Sequence, residues 1–445
     1  MAPVRSRAET ALVVGFGATG QAVSRHLVAA GWTVEVVDDR PTDRMRAAAA
    51  ESGVVLHDGG DPDRLAGLVG HADLVVPSPG VPSGHPVYEL ARSAGVPLVS
   101  EVELAARQAS APLVAVTGTN GKTTVTTMVA SMLVEAGWRA VAAGNIGLPL
   151  IDAVAQDVDV LVAEVSSFQL QYTDTFRPAV AVWLNFAEDH LDWHPDLDHY
   201  AAAKARIWAN QAGDDVAVVN AEDPVVMAAA GGAPARLVTF GLDRGDYRVE
   251  GARLVGPEGP LVEVTHVPRR LPHDIANGLA AAAAAEAAGA SPEACRSVLT
   301  TFEGLPHRVQ LVGESGGVRF YDDSKATTPA SVLAALQGFE SVVLIAGGRN
   351  KGLDLTPLAA EVDRLRGVVA IGDAAPDVEL VFGGGVPTHL AWSMEEAVDA
   401  ARRMARPGDA VLLSPGCASY DWYSSYAERG DDFARVVRDR QATDA

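Results

Sequence analysis

Eight consecutive residues, Thr117-Gly118-Thr119-Asn120-Gly121-Lys122-Thr123-Thr124, combine the groups needed to hold a polyphosphate. The apolar run Leu113-Val114-Ala115-Val116 precedes them. Val125, Met128, Val129, Met132, Leu133 and Ala136 follow at helical spacing, so the pattern predicts strand, tight glycine loop and helix. The glycines let backbone N–H groups face an anion, and the helix N-terminus adds positive dipole. Lys122 can reach terminal phosphates and Thr123 can hold Mg²⁺. The spacing G-x-x-x-x-G-K-[ST] is not met, because position 116 is Val and the first loop glycine is Gly118. The stretch therefore reads as a shortened nucleoside-triphosphate loop. A glycine turn with an incidental lysine is the competing reading, and strand and helix on either side count against it.

Other clusters could act beside it. Glu164-Val165-Ser166-Ser167-Phe168-Gln169 follows the buried-strand run Val158 to Ala163. A carboxylate at a strand end beside a phosphate loop can hold the Mg²⁺ that bridges phosphates, although a helix-capping glutamate would look the same. Asn185 to Asp192 follows the run Ala179 to Leu184, and there His190 suits metal or phosphate as well as it suits a hydrogen-bonded structural role. Lys204, in an Ala-rich helical stretch, reads by itself as a solvated side chain. Gly15-x-Gly17-x-x-Gly20 with Asp38 fits a dinucleotide fingerprint. That motif says only that a diphosphate can approach a helix N-terminus, so NAD, a UDP-linked substrate and a structural turn all stay open. Asn277, His307-Arg308 and Asp322-Asp323-Ser324-Lys325-Ala326-Thr327 suit ligand contact or a polar turn. Gly347 to Gly352 and Ser414 to Ser419 each follow an apolar strand, at the edge where open α/β sheets bind ligands.

The elements that must position these groups form three strand–helix series. Residues 10 to 108 hold strands at Ala11–Val14, Thr33–Val37, Val54–Leu56, Ala72–Val76 and Leu98–Val99, alternating with helical patterns. Repeated strand–helix order implies parallel sheets covered on both faces. Ser110-Ala111-Pro112 is a joint, after which the phosphate loop opens a second series. Tyr247 to Val267 reads as short antiparallel strands, and His273 to Ala288 as a helix with a close-packed alanine face. A third series runs from Val318 through helices at Pro329–Leu336, Leu355–Leu365 and Met394–Ala405 to a strand at Ala410–Leu413.

The 35 basic against 57 acidic residues leave a net charge of −22, which argues against extended contact with nucleic acid or anionic membrane. Small phosphorylated ligands remain compatible, held by amides, a few lysines and Mg²⁺. The cysteines, Cys295 and Cys417, match no zinc or redox spacing. No signal peptide or membrane span fits, so a cytoplasmic protein is expected. An NAD-dependent oxidoreductase and a non-catalytic ATP-binding module are rival function classes.

The order Gly-Thr-Asn-Gly-Lys-Thr-Thr, Gly144-Asn145-Ile146-Gly147, Glu164-x-Ser166-Ser167-Phe168-Gln169-Leu170, Asp189-His190-Leu191-Asp192, Lys204, Leu305-Pro306-His307-Arg308 and Asp323-Ser324-Lys325-Ala326-Thr327 resembles the Mur ligases. Asp-Ser-Lys-Ala-Thr with Ser-Pro-Gly-Cys-Ala-Ser points to the branch that adds D-glutamate. The resemblance implies an α/β protein of three domains. These are a Rossmann-like N-terminal domain that binds the UDP substrate (1–110), a central phosphate-loop ATPase-type α/β domain (111–309) and a Rossmann-like C-terminal domain that binds the amino acid (310–445). It also implies ATP, Mg²⁺ at two sites, and UDP-N-acetylmuramoyl-L-alanine and D-glutamate as substrates of a cytoplasmic monomer.

Residue roles follow from the same resemblance. Gly118, Thr119, Asn120, Gly121, Lys122, Thr123 and Thr124 would meet the ATP phosphates, with Asn277, His307, Arg308 and Asp323 also on ATP. Thr123 and Glu164 would hold one Mg²⁺. His190 would hold the other together with Lys204, which falls where the family carries a carbamate. Lys122, His190 and Lys204 would be the catalytic set. Ala18, Thr19, Asp38, Arg40, Ser78 and Gly80 would hold UDP, with Asn145 and Gln169 near the muramoyl-alanine. Lys325, Thr327, Lys351, Ser419 and Tyr426 would surround D-glutamate. Position 39 is Asp where relatives often carry a hydroxyl residue, and position 426 is Tyr where an aromatic without hydroxyl is common.

Overall fold

A computed structural model describes residues 9–191 and 193–444; Asp192 of the Asp189–Asp192 motif lies outside the described residues. The chain forms two compact units, one running through Val267 and including Ala276–Thr301, the other made of Pro268–Ile275 and the residues from Phe302 on.

The first unit contains two parallel sheets. Strands β1 (Thr10–Val14), β2 (Thr33–Asp38), β3 (Val55–Asp58) and β4 (Leu74–Pro77) lie in the order β3-β2-β1-β4. Strands β5 (Leu113–Thr117), β6 (Ala140–Gly144), β7 (Val160–Glu164), β8 (Val180–Trp183), β9 (Val216–Asn220) and β10 (Arg236–Phe240) lie in the order β10-β9-β8-β5-β7-β6. Parallel strands buried on both faces must be apolar almost throughout, and β5, β7 and β8 are buried at every position. One continuous apolar cluster runs from Ala11 in the first sheet to Ala235 beside the second. An antiparallel trio, β11 (Arg248–Glu250), β12 (Arg253–Gly256) and β13 (Gly259–Glu263), follows as expected. In the helix Pro272–Ala287, Ala280 to Ala285 are buried, so the alanine run is a packing face.

The second unit adds β14 (Gln310–Ser315), β15 (Val318–Asp322), β16 (Val342–Gly347), β17 (Leu365–Ile371), β18 (Thr388–Ala391) and β19 (Ala410–Gly416), in the order β14-β15-β19-β16-β17-β18. Only β14 runs antiparallel to its neighbour. Separate apolar clusters cover its two faces.

Several elements differ from the sequence reading. The helix expected over Leu355–Leu365 is a 3₁₀ helix, Thr356–Arg364, with Pro357 in its first turn and β17 beginning at Leu365. Leu98 makes a single bridge to Val75 in place of a strand. The C-terminal helix Tyr426–Asp444 was not expected, because Gly430 and a dense run of charges hide a narrow apolar stripe at Phe433, Val436 and Val437.

Two carboxylates on the short helix Glu101–Ala106 stitch the first unit together with opposite electrostatics. Buried Glu101 accepts the Ile151 N–H at 2.7 Å, and burial, only partly opposed by the backbone donors, pushes its carboxyl up to about 7. Glu103 is also buried. Burial alone would raise it, but the Thr175 hydroxyl, the N–H groups of Asp174 and Thr175, and Arg107 hold it below the ordinary range. A raised carboxyl supports the fold below its ordinary value near 4.5 and loses that support as pH climbs toward about 7; a lowered one does the reverse. Glu101→Gln is therefore expected to add roughly 1–3 kcal/mol at pH 8 and nothing at pH 4. Glu103→Gln is expected to cost about 1–3 kcal/mol at pH 7, with the difference shrinking as pH falls below 4.5. Urea unfolding of both variants across pH checks this, and parallel pH profiles for the two would contradict it.

Candidate active site

Strand β5 sits between β7 and β8, so the loop after it is flanked by the ends of both neighbours. On the β8 side, Asn185 clamps the loop: its carbonyl accepts the Thr119 N–H at 3.1 Å, its side-chain oxygen accepts the Asn120 N–H at 2.8 Å, and its amide donates to the Asn120 carbonyl at 3.2 Å. The helix Lys122–Glu135 begins at Gly121, whose φ of +83° belongs to the left-handed region. A Cβ there would lie 2.4 Å from Asn277 Oδ1. That contact brings Asn277, expected on ATP, directly against the loop. Lys122 Nζ donates to the carbonyls of Gly118 and Thr119, both at 2.8 Å.

Lys204 is not the solvated side chain that its own stretch suggested. It is 1% exposed and donates to the same Gly118 carbonyl at 2.8 Å, with its ammonium 4.6 Å from the centre of the Tyr200 ring. Burial, reinforced by the charge of Lys122, holds its pKa well below the ordinary lysine value. Tyr200 meets Thr119 Oγ1 at 3.3 Å, and Thr119 also donates to the Ala187 carbonyl. Sequence reasoning named Asn185 only as the start of its cluster, with no role, and passed over Tyr200. Asn185 had a usable signal as the first residue past an apolar strand, whereas Tyr200 had none.

On the β7 side, Glu164 is buried and registers opposite Val116, at the root of the loop. Asn145 donates to its Oε1 at 3.3 Å, while Oε2 is buried without a hydrogen-bond partner. An unsatisfied buried carboxylate oxygen is the atom a cation would satisfy. His190 takes a positive φ of 57°, with its backbone N–H on Asp189 Oδ1 and its ring 4.7 Å edge-on from Phe168. Among the described residues, no group of three or more His, Cys, Asp and Glu could hold a metal by itself. A Mg²⁺ at Glu164 and Thr123 would therefore depend on phosphate oxygens and water for its remaining ligands, the usual arrangement for that ion. Gln169 is committed to a capping box, its Oε1 accepting from the Ser166 N–H and hydroxyl.

In the first sheet, Gly15-x-Gly17-x-x-Gly20 runs from the end of β1 into the first turn of the helix Ala18–Ala29, at the point where the strand order reverses from β2 to β4. A Cβ on Gly20 would lie 1.9 Å from the Gly15 carbonyl, so the third glycine permits the helix to approach the strand. Asp38 holds the turn, with Oδ2 accepting the Phe16 N–H at 2.8 Å and Oδ1 the Arg40 N–H at 2.9 Å. Ser78, at the end of β4, donates to the Gly15 carbonyl. Ala18 and Gly80 are exposed beside them and Thr19 is half-buried.

The second unit gathers its own set where β15, β19 and β16 lie side by side. His307 Nδ1 pairs with Asp322 Oδ2 at 2.7 Å, a contact that raises the imidazole pKa. Asp323 is buried, and burial pushes its carboxyl up to about 7. Its oxygens accept the Val309 N–H at 3.2 Å and the Ser414 hydroxyl at 2.7 Å. These bonds restrain a turn in which His307 and β-branched Val309 both take positive φ, 61° and 47°. Arg308 lies between them. Lys325 Nζ stands 3.9 Å from the centre of the Tyr426 ring, Ser419 is buried, Thr327 half-buried and Lys351 exposed, 5.5 Å from the Tyr420 ring centre.

Comparison with known proteins matches residues 9–100 to the N-terminal domain of the Mur ligase MurD-like family, 116–285 to the Mur ligase middle domain and 307–417 to the Mur ligase glutamate ligase domain. A relative from Desulfosudis oleivorans, named UDP-N-acetylmuramoylalanine--D-glutamate ligase, is 42% identical over 98% of each chain. One of the same name from Frankia casuarinae is 44% identical over 97% of this chain and 94% of its own. The fold is shared with the UDP-N-acetylmuramate-alanine ligase MurC of Thermotoga maritima, at TM-score 0.61 and 20% identity over 98% of this chain and all of that one.

Gly121→Ala tests the loop. The added methyl meets Asn277 Oδ1 and the φ of +83° is costly for alanine. Affinity for a non-hydrolysable nucleoside triphosphate, read by calorimetry, should fall at least ~10-fold, with thermal stability lowered by only about 1–2 kcal/mol. Unchanged affinity would detach this loop from anion binding.

Proposed function

The chain belongs to the Mur ligase family, and from that premise we propose that it is the ATP-dependent ligase that joins D-glutamate to UDP-N-acetylmuramoyl-L-alanine in peptidoglycan precursor synthesis. The observation that carries this reading is the 42–44% identity, across nearly the whole chain, to ligases of that name.

A carboxylate is a poor acyl donor. Transfer of the γ-phosphoryl group of ATP to the alanine carboxylate makes an acyl phosphate and ADP. The D-glutamate amine then attacks the acyl carbon, the C–N bond forms, and phosphate leaves with the electron pair of the broken C–O bond. We assign the loop amides Gly118 to Thr124 and Lys122 to the ATP phosphates, with Asn277, His307 and Arg308 on the rest of ATP. Asp323, assigned to ATP with them, also fixes the turn that carries Arg308 through its bonds to Val309 and Ser414. Mg²⁺, when bound, offsets the charge gathered around the transferred phosphoryl group. Glu164 with Thr123 would hold one ion, and His190 with Lys204 the other.

An ammonium cannot ligate a cation and Mg²⁺ prefers oxygen to a neutral amine, so we read Lys204 in the second site as a carbamate. A buried lysine with a depressed pKa supplies the neutral amine that adds CO₂, forming an N–C bond and releasing a proton. On the substrate side, Ala18, Thr19, Asp38, Arg40, Ser78 and Gly80 shape the UDP end. Asn145 and Gln169 face the muramoyl-alanine, and Lys325, Thr327, Lys351, Ser419 and Tyr426 receive D-glutamate, whose carboxylates call for cationic and N–H donors. The proposed use of ATP and a UDP-linked substrate supports a cytoplasmic enzyme. No helix among the described residues is long and apolar enough to cross a membrane. We read the enzyme as a monomer with functional divisions near residues 110 and 309.

An acceptor panel tests the activity. Phosphate release from ATP and UDP-N-acetylmuramoyl-L-alanine should require D-glutamate and stay near background with L-glutamate, L-alanine or glycine; absence of D-glutamate dependence would sink the assignment. Lys204→Ala should lose at least ~10²-fold in kcat and regain part of it with added acetate, which can stand in for the carbamate. Full activity in that variant would remove Lys204 from the site.

A further inference from the structure

Arg429, on the C-terminal helix Tyr426–Asp444, matches none of the motifs read from the sequence, yet it is 1% exposed. Its guanidinium is spread over two loops. Nε donates to Ser324 Oγ and one terminal nitrogen to the Ser324 carbonyl, both at 2.9 Å. The terminal nitrogens also reach the Cys417 carbonyl at 3.2 Å and the Ala418 carbonyl at 3.3 Å. The two loops follow β15 and β19, which are adjacent in the sheet and far apart in the chain.

The choice of carbonyls matters. Ser324 immediately precedes Lys325, and Ala418 immediately precedes Ser419. Holding a carbonyl fixes the peptide plane that also contains the next residue's N–H, and so sets the direction in which the next residue departs. The third loop is tied to the same point: the Ala418 carbonyl accepts the Arg349 N–H at 2.8 Å, and the Arg349 carbonyl accepts the Ala418 N–H at 3.1 Å, two residues before Lys351. Tyr426 is drawn in as well, since the Ser324 hydroxyl that receives Arg429 donates to the Tyr426 carbonyl at 2.7 Å. One planar, multi-donor group thus meets or neighbours the anchor of every residue assigned to the amino acid except Thr327. A lysine could supply charge there but not the fork of donors.

We propose that Arg429 is a positioning residue for the amino-acid site, acting through the peptide groups of Ser324 and Ala418 to set the spacing of Lys325, Ser419 and Lys351 around the two carboxylates of D-glutamate. The inference rests on the assignment of D-glutamate to these loops. The nucleotide turn has supports of its own, His307 on Asp322 and Val309 on Asp323, beside the one bond it shares with this loop, in which the His307 carbonyl accepts the Lys325 N–H at 3.1 Å.

The full-length wild type, Arg429→Lys and Arg429→Ala are compared by thermal unfolding and by phosphate release with each of the three substrates varied. Arg429→Lys is expected to fold and to raise the KM for D-glutamate roughly 10- to 100-fold, with the KM values for ATP and the UDP-linked substrate within about twofold of wild type. Guanidinium ion at a sub-denaturing concentration should lower the D-glutamate KM of Arg429→Ala, and methylammonium should not. A merely structural role would lower stability or kcat without that split. Folded variants with an unchanged D-glutamate KM, or with equal losses toward all three substrates, would overturn the proposal. So would failure of both variants to fold, which would make Arg429 a core support only. A wild-type enzyme indifferent to D-glutamate would instead remove the underlying assignment, and this inference with it.

Discussion

Two ammonium groups, from Lys122 and Lys204, converge on one carbonyl oxygen, that of Gly118. Like charges brought together beside a buried strand end repel, and the repulsion grows as water is excluded. The arrangement suits a site whose business is to receive anions: phosphates beside Lys122, and in the proposed chemistry an anionic carbamate on Lys204 itself. The neighbouring structure serves this point. Asn185 clamps the loop from one side, and Glu164 borders it from the other with an unsatisfied oxygen. Tyr200 sits beneath Lys204 and ties back to Thr119.

Strand order makes the convergence possible. In each of the three sheets built mainly of parallel strands, residues remote in sequence meet because their strands are neighbours and end on the same edge. Glu164 and Asn185 flank the phosphate loop because β7 and β8 flank β5. Ser78 meets Gly15 because β4 lies beside β1, and the loops after β15, β19 and β16 adjoin for the same reason. Many of the candidate site residues thereby gather at carboxyl edges, while strand interiors remain free to be apolar.

Many polar side chains near these edges hold backbone first. Asp38 is occupied by the Phe16 and Arg40 amides, Gln169 by a helix cap, Asp323 by Val309 and Ser414, and Arg429 by three carbonyls. A site that reads phosphates and carboxylates through main-chain N–H groups needs those peptide planes fixed within a fraction of an ångström, and side chains anchored in this way do the fixing. Asp323 illustrates the cost: its burial is severe enough to push the carboxyl up to about 7, and it restrains a turn with two non-glycine residues at positive φ.

Sequence by itself determined the phosphate loop, the glycine turn of the first sheet, the α/β alternation and the likeness to the Mur ligases. Those features are local: a strand, a tight turn and a helix N-terminus are written in contiguous residues, and a motif keeps its spacing whatever surrounds it. The strand Ala140–Gly144 escaped because its alanines favour helix by propensity while pairing with β7 decides otherwise. The C-terminal helix escaped because its surface charges outnumber the residues that pack. Lys204 is the clearest case. Its neighbours describe an ordinary surface helix, and only the fold, which sets Tyr200 and the Gly118 carbonyl around its ammonium, makes it a buried, perturbed group. Arg429 is legible only in three dimensions, because hydrogen bonds from a side chain to carbonyls about 100 and about a dozen residues away leave no pattern in the chain that makes them.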